Sequence, residues 1–217
     1  MSHWTSAQTS ALANVEASLR TVESILSFVK DGQGKPSKGE RALFAAAVVF
    51  LYGLWENYVE QLAIELVTKV SGQLSPDKVP EIIRKQLEKK GTWELAVHPG
   101  WKSLWVENVK RMAIGDDGES FGMNTARAGQ VKNLLINAGA TDPFENISND
   151  IIPAHLAVSN ITEAVNKLVE LRGEIVHTGT VPSTLRKHHV KDWKVFVKDL
   201  VECLDANCRA QCKTLLR

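Results

Sequence analysis

Net charge is almost missing from this sequence: Lys and Arg number 26, Asp and Glu 25, and the formal balance is +1. That excludes a uniformly polybasic binder and an acidic tail protein, and with 44% hydrophobic residues it excludes a disordered chain. Long apolar runs are missing as well. The longest apolar charge-free stretch, Ala42 to Trp55, has 14 residues, short of the ~18–20 that a membrane span requires. Cysteine is scarce: Cys203, Cys208 and Cys212 are an odd number near one end, which is no disulfide framework. The opening MSHWTSAQTS has no basic region leading into an apolar one, so no secretion signal is read there. A length of 217 residues fits one domain over 1–217 with a real core. The expectation is a cytoplasmic protein with no membrane segment.

Strand-like alternation is also lacking; the dominant period is 3.6. Leu12, Val15, Leu19, Val22, Ile25, Leu26 and Val29 make one helical stripe, and Asp31–Gly39 (DGQGKPSKG) interrupts it as a loop. A long helix is expected from Glu40 to about Lys69. Its first half is apolar nearly all round, the pattern of a helix lying centrally in a bundle. Residues 71–158 are broken by turns and read as an insert of short helices, one opened by Pro80, one over WKSLWVENVKRM and one from Thr125 to Asn137. GTWELAVHPG reads as a turn. Order returns at Asn160 and Glu163, a capping pair, followed by Ile161, Ala164, Val165, Leu168, Leu171, Ile175 and Val176 on one helix face ending near His177. A last long helix starts from about Thr184. The fold class is therefore all-α, a bundle of four principal helices with short helices inserted in the middle.

Divided by segment, the neutral balance is uneven. Residues 78–111 carry 8 basic and 4 acidic groups, residues 184–217 again 8 and 4, and residues 112–183 carry 4 and 9. A surface built from the two basic stretches would suit a polyanion, although each also reads as a solvated helix face.

The segment LVELRGEIVHTG, Leu168 to Gly179, stands apart. Arg172 lies four residues after Leu168 and four before Val176, which puts a guanidinium on the apolar stripe. A permanent charge there needs a carboxylate, a carbonyl cluster, a partner chain or an anionic ligand. Gly173, costly in a helix interior, lets a second backbone or a phosphate come close. His177 ends the helix, where an imidazole is free to meet substrate. Such a pair suffices for one metal-free reaction. The 2′-OH of RNA attacks its own phosphate, the imidazole moves the proton, and the guanidinium stabilises charge on the phosphorus oxygens. The plainer alternative has Arg172 paired with Glu170, Glu174 or Glu56 and His177 merely closing a helix.

Arg172-Gly-Glu-Ile-Val-His177 resembles the Arg-x4-6-His motif of the HEPN superfamily. LYGLWENYVEQL (Leu51–Leu62) is similar to the aromatic-Trp-Glu stretch in the second helix of the RiboL-PSP and MAE-type branch, and FGMNTARAGQVKNLLINAGATDPF to a lead-in segment found there. The order of helical hairpin, insert, motif helix and last long helix matches too. The resemblance implies a homodimer in which two copies of Arg172 and His177 build one metal-independent ribonuclease site without a cofactor. It also implies a role in toxin–antitoxin or antiphage defence, with an antitoxin or defence-system protein as a possible partner. Glu56 and Glu174 are expected to orient Arg172, beside Gly173, where the family commonly has Asn, Asp or His. No tyrosine stands two residues after His177, so control by nucleotidyl transfer is not expected. The rival expectation is a non-catalytic helical dimerisation module that binds RNA, a nucleotide or a partner protein.

Other signals carry less. The cysteines share no four-ligand geometry with His188 and His189 and are expected to be free thiols, so no metal site is assigned. Gly34 to Gly39 lacks the Lys-Ser/Thr of a phosphate loop. Arg186, Lys187 and His188 open the last helix and are candidates to grip RNA phosphates. His98 and His155 are loop histidines that could reach a base or the site. Trp55 and Trp193 fit core faces, and Trp93, Trp101 and Trp105 are not read as a binding cage.

Overall fold

The computed structural model describes residues 7–30, 34–86, 91–97, 100–116 and 122–217. Among them lie eight α-helices, two short 3-10 turns and no strand, so the fold is all-α. His98, one of the histidines noted above, falls outside the described residues.

α1 (Ser10–Ser27) buries the expected stripe through Val15, Leu19, Val22 and Leu26. Its cap, Thr9, accepts from the Leu12 N–H and also holds the first helix to the last. Thr9 donates from both its N–H and its hydroxyl to Asp205, a fully buried carboxylate that Arg209 also reaches at 2.6 Å. A buried charge is tolerated only when paired and hydrogen-bonded in this way.

α2 (Lys38–Gln73) begins two residues earlier than periodicity indicates. Ser37 accepts from the Glu40 N–H at 3.2 Å while the Glu40 carboxylate accepts from the Ser37 N–H at 2.8 Å, a reciprocal capping box. By length and composition α2 could cross a bilayer, yet half of its apolar window is buried against the protein's own helices. It is the central element, packed on α1, α5, α6, α7 and α8. One stripe stays uncovered: Ala42, Ala46, Phe50, Gly53, Asn57 and Gln61 are all exposed at spacings of three or four residues.

The middle of the chain gives α3 (Glu81–Gln86), α4 (Thr92–Val97), α5 (Trp101–Ile114) and α6 (Ala128–Asn137). α4 lies where a turn is expected in GTWELAVHPG; six residues are too few for periodicity to declare a helix. α5 and α6 contribute to the core. Trp101, Trp105, Val109, Val131, Leu134 and Leu135 join the same buried cluster as α1, α2, α7 and α8. The Trp105 indole donates to the Asn137 carbonyl at 2.7 Å, tying α5 to the end of α6.

α7 (Ile161–Thr178) and α8 (Lys187–Leu216) form the closing hairpin. Asn160 caps α7 by accepting from the Glu163 N–H, but Glu163 reaches back to the N–H of Ser159, one residue before the cap. α8 starts later than Thr184, and its cap residue Arg186 offers no side-chain acceptor. Gly179 ends α7 in the left-handed region (φ 65°), the position a glycine closes most readily.

Candidate functional site

Arg172 comes from α7 and meets α2. Its guanidinium carbon lies 4.9 Å from the ring centroid of Tyr52. Its Nε is buried and has no hydrogen-bond partner. Among the described residues no carboxylate lies within ion-pair distance of it; Glu170, two residues before it, pairs with Lys167 at 2.8 Å and with Arg127 at 3.9 Å. The plainer alternative of an internal ion pair is therefore not found among the described residues. An aromatic face offsets only part of the cost of desolvating a guanidinium. The site holds a cation with nothing anionic to receive it.

Tyr52 is fixed from two sides. Its hydroxyl donates to Glu56 Oε1 at 2.8 Å and accepts from the Ala126 N–H at 3.0 Å. Burial, the bond to Glu56 and the charge beside it push the phenol up to about 12, so it stays a neutral donor. Trp55, one turn on, donates from its indole to the Ala126 carbonyl at 2.9 Å. Asn166 of α7 accepts from the Ala128 N–H at 3.1 Å, and Arg127 pairs with Glu170 as above. The segment before α6 is thus clamped between α2 and α7, and the clamp sets the ring beneath Arg172. Glu56 reaches Arg172 through Tyr52. Sequence reading missed Tyr52 as a site residue: it sits inside a quoted stretch, but its use depends on what α7 lays over it.

Glu60 follows Glu56 by one turn on α2. Partial burial, with Glu56 beside it, raises its carboxyl from 4.5 to about 7. Its pKa is higher folded than unfolded, so between those values the native state binds more protons. Stability from this group is then lost as pH rises through that window. We predict that the unfolding temperature of the wild type, measured relative to Glu60→Gln, falls between about pH 5 and 7. A variant with the parental slope would show that Glu60 contributes no such loss.

His177 is exposed in the last turn of α7. It lies five positions after Arg172, so the two Cα atoms are about 140° apart around the axis and about 7.5 Å along it. The ring folds back one turn: its Cδ2 is 4.0 Å from where a Cβ on Gly173 would sit, and nothing else is nearer. No internal packing requires a glycine at 173. Glu174 is exposed and lines a different space, a cavity of about 410 Å³ between α7 and α8. That cavity also contains His155, which meets Asp192 at 3.2 Å and stacks 4.4 Å from His189. His189 is held below the ordinary imidazole range by burial and by the neighbouring His155 and His188. The structure therefore brings Arg172 and Glu56 together through Tyr52 where α7 meets α2. His177 lies beside Gly173, and Glu174 is turned away.

Residues 15–208 match the model of the RiboL-PSP-HEPN family. The chain belongs to that family. HEPN membership ties it to a nuclease-like, RNA-related role and accounts for the order of hairpin, insert, motif helix and last helix. No curated protein and no solved structure matches the chain. The two stretches that resemble the HEPN branch, around Trp55 and around Ala126, are the ones hydrogen-bonded to each other beneath Arg172. Among the described residues no group of three His, Cys, Asp or Glu side chains is placed to hold a metal ion. Cys208 and Cys212 are buried, and burial pushes the Cys212 thiol up to about 12. Trp55 and Trp193 are core residues, Trp101 and Trp105 are buried and stacked, and Trp93 is exposed, so they form no cage.

Proposed function

We propose that the protein is a metal-independent endoribonuclease that works as a homodimer in the cytoplasm, within a toxin–antitoxin or antiphage defence system. The observation that carries this reading is Arg172: a guanidinium pinned on Tyr52, its Nε buried without a partner and no carboxylate within reach. A phosphate is the ligand such a group suits, because planar donors match phosphate oxygens.

The reaction needs no more than the motif supplies twice. One His177 takes the proton of the 2′-OH, whose oxygen bonds to phosphorus. The P–O5′ bond breaks, and the His177 of the second copy protonates the departing 5′ oxygen. Arg172 stabilises the charge on the non-bridging oxygens. The products are a 2′,3′-cyclic phosphate and a 5′-hydroxyl. Arg172 and His177 diverge around α7, which favours a site completed by a second copy. The open stripe of α2 and exposed Val176 on α7 offer that copy an apolar face.

Incubation of the purified protein with RNA in EDTA tests the reading. Expected are cleavage that survives chelation, cyclic phosphate ends and loss of cutting in Arg172→Ala, with a dimer in sedimentation equilibrium. Inertness toward varied RNAs, with the dimer intact, would instead support a non-catalytic module that binds RNA, a nucleotide or an antitoxin-like partner. Gly173 gives a second check. Gly173→Ala removes a helix-interior glycine and should stabilise the separated protomer by about 1 kcal/mol. If Gly173 serves close approach across the dimer, the same change weakens dimerisation. A variant stabilised and equally dimeric would assign Gly173 no such role.

A further inference from the structure

We infer that the end of the bundle where α1 stops and α8 starts is a track for single-stranded RNA, distinct from the Arg172–His177 face. This rests on the reading that the protein acts on RNA. Two clefts lie there. The first, about 250 Å³, is lined by Lys30, Lys35, Arg186, Lys187 and His188, with Glu40 on its wall. The second, about 390 Å³, has Lys187, Lys191 and Lys194 around apolar Leu26 and Val195, with Glu23 at its edge. Lys187 borders both, so the two lie side by side.

Glu23 is neutralised by Lys194, whereas Glu40, held by neutral donors, keeps its charge on the wall of the first cleft. Glu40 accepts from the Ser37 N–H and hydroxyl at 2.8 Å each. Among the described residues Lys35 and Lys191 have no carboxylate within ion-pair distance, while the charge of Lys30 bears on Glu40. Arg186 donates to the carbonyls of Ser183 and Leu185, neutral acceptors that fix the guanidinium and leave its charge. The uncapped start of α8 adds positive potential at the same place.

Phe28 supplies the second element. It follows Ser27, which lines one cleft, and precedes Val29, which lines the other, and it is 77% exposed. Cations on both sides of an exposed aromatic ring suit a strand whose phosphates are neutralised while a base stacks. The track also adjoins the motif. The loop 179–186 that follows α7 leads into the first cleft, and Arg41 of α2 holds it by donating to the Val181 carbonyl. The cations that join the start of α8 in the first cleft are Lys30 and Lys35, from the turn after α1.

The experiment uses the full chain carrying His177→Ala and a short fluorescein-labelled oligouridylate, with anisotropy read across a salt series. In that background the pair Lys30→Glu and Lys35→Glu, both on exposed side chains, should weaken binding about tenfold or more and flatten the salt dependence. Phe28→Ala should weaken it about fivefold with the salt slope kept, and Lys213→Glu near the far end of α8 should change neither. Parental affinity in the charge-reversed and Phe28→Ala proteins, or no binding by the parent even at low salt, overturns the track. Displacement by poly-L-glutamate as effective as by polyuridylate, with Phe28→Ala silent, overturns it in favour of an acidic protein surface. The two readings separate: normal cleavage by the charge-reversed enzyme sinks the track alone, and binding without cleavage sinks the nuclease alone.

Discussion

His177→Ala should lower RNA cleavage by about 10²- to 10⁴-fold, the usual contribution of a positioned acid or base, while leaving the unfolding temperature nearly unchanged. The side chain is exposed and buries no core area; its removal sacrifices at most a favourable cation at a helix C-terminus, about 0.3–1 kcal/mol. Single-turnover cleavage with RNA in excess EDTA, beside thermal unfolding of the same preparation, reads both numbers. The loss should fall on kcat with KM kept, because the imidazole moves protons and does not hold the strand. Arg172→Lys should cut less than the parent even though its charge is kept, since an ammonium lacks the planar fork and stacks poorly on Tyr52. Cleavage by His177→Ala at the parental rate would remove the imidazole from the chemistry.

Trp55→Ala should cost about 3–5 kcal/mol of stability. For a chain of this length that is a fall of about 10 °C in the unfolding temperature. The indole is fully buried and donates to the Ala126 carbonyl, so alanine both opens a cavity and strands an acceptor. Trp55→Phe keeps much of the packing and should lose only about 1–3 kcal/mol. The alanine variant should also lose activity below its unfolding temperature, because Ala126 anchors Tyr52 and Tyr52 carries Arg172. Urea unfolding with activity measured on the folded baseline checks this. A loss under about 1 kcal/mol would mean that the site collapses around the missing ring.

The helices were legible where the pattern is long. α1, α2, α7 and α8 follow from apolar residues at helical spacing, and a stripe of that length leaves periodicity little freedom. α4 was not legible, and α2 begins at a capping box that periodicity cannot see. Of the site, Arg172 and His177 could be picked out because a charge interrupts an apolar face and an imidazole ends it. Tyr52 could not: an aromatic residue on a buried helix looks like core until the helix packed over it is known. Lys30 and Lys35 were hidden in a segment whose local balance is acidic.

By itself the sequence determined the all-α class, the four long helices, the HEPN motif and a permanent charge on its apolar stripe. All of these are properties of neighbours along one helix, where spacing alone decides which side chains share a face. Only the tertiary structure decided that no carboxylate among the described residues pairs with Arg172, that Tyr52 carries it and that Glu174 points elsewhere. It also brought the turn after α1 to the cations that open α8. Those facts join residues on different helices, and which of them meet is set by how α2 is covered, a relation that no period along the chain contains.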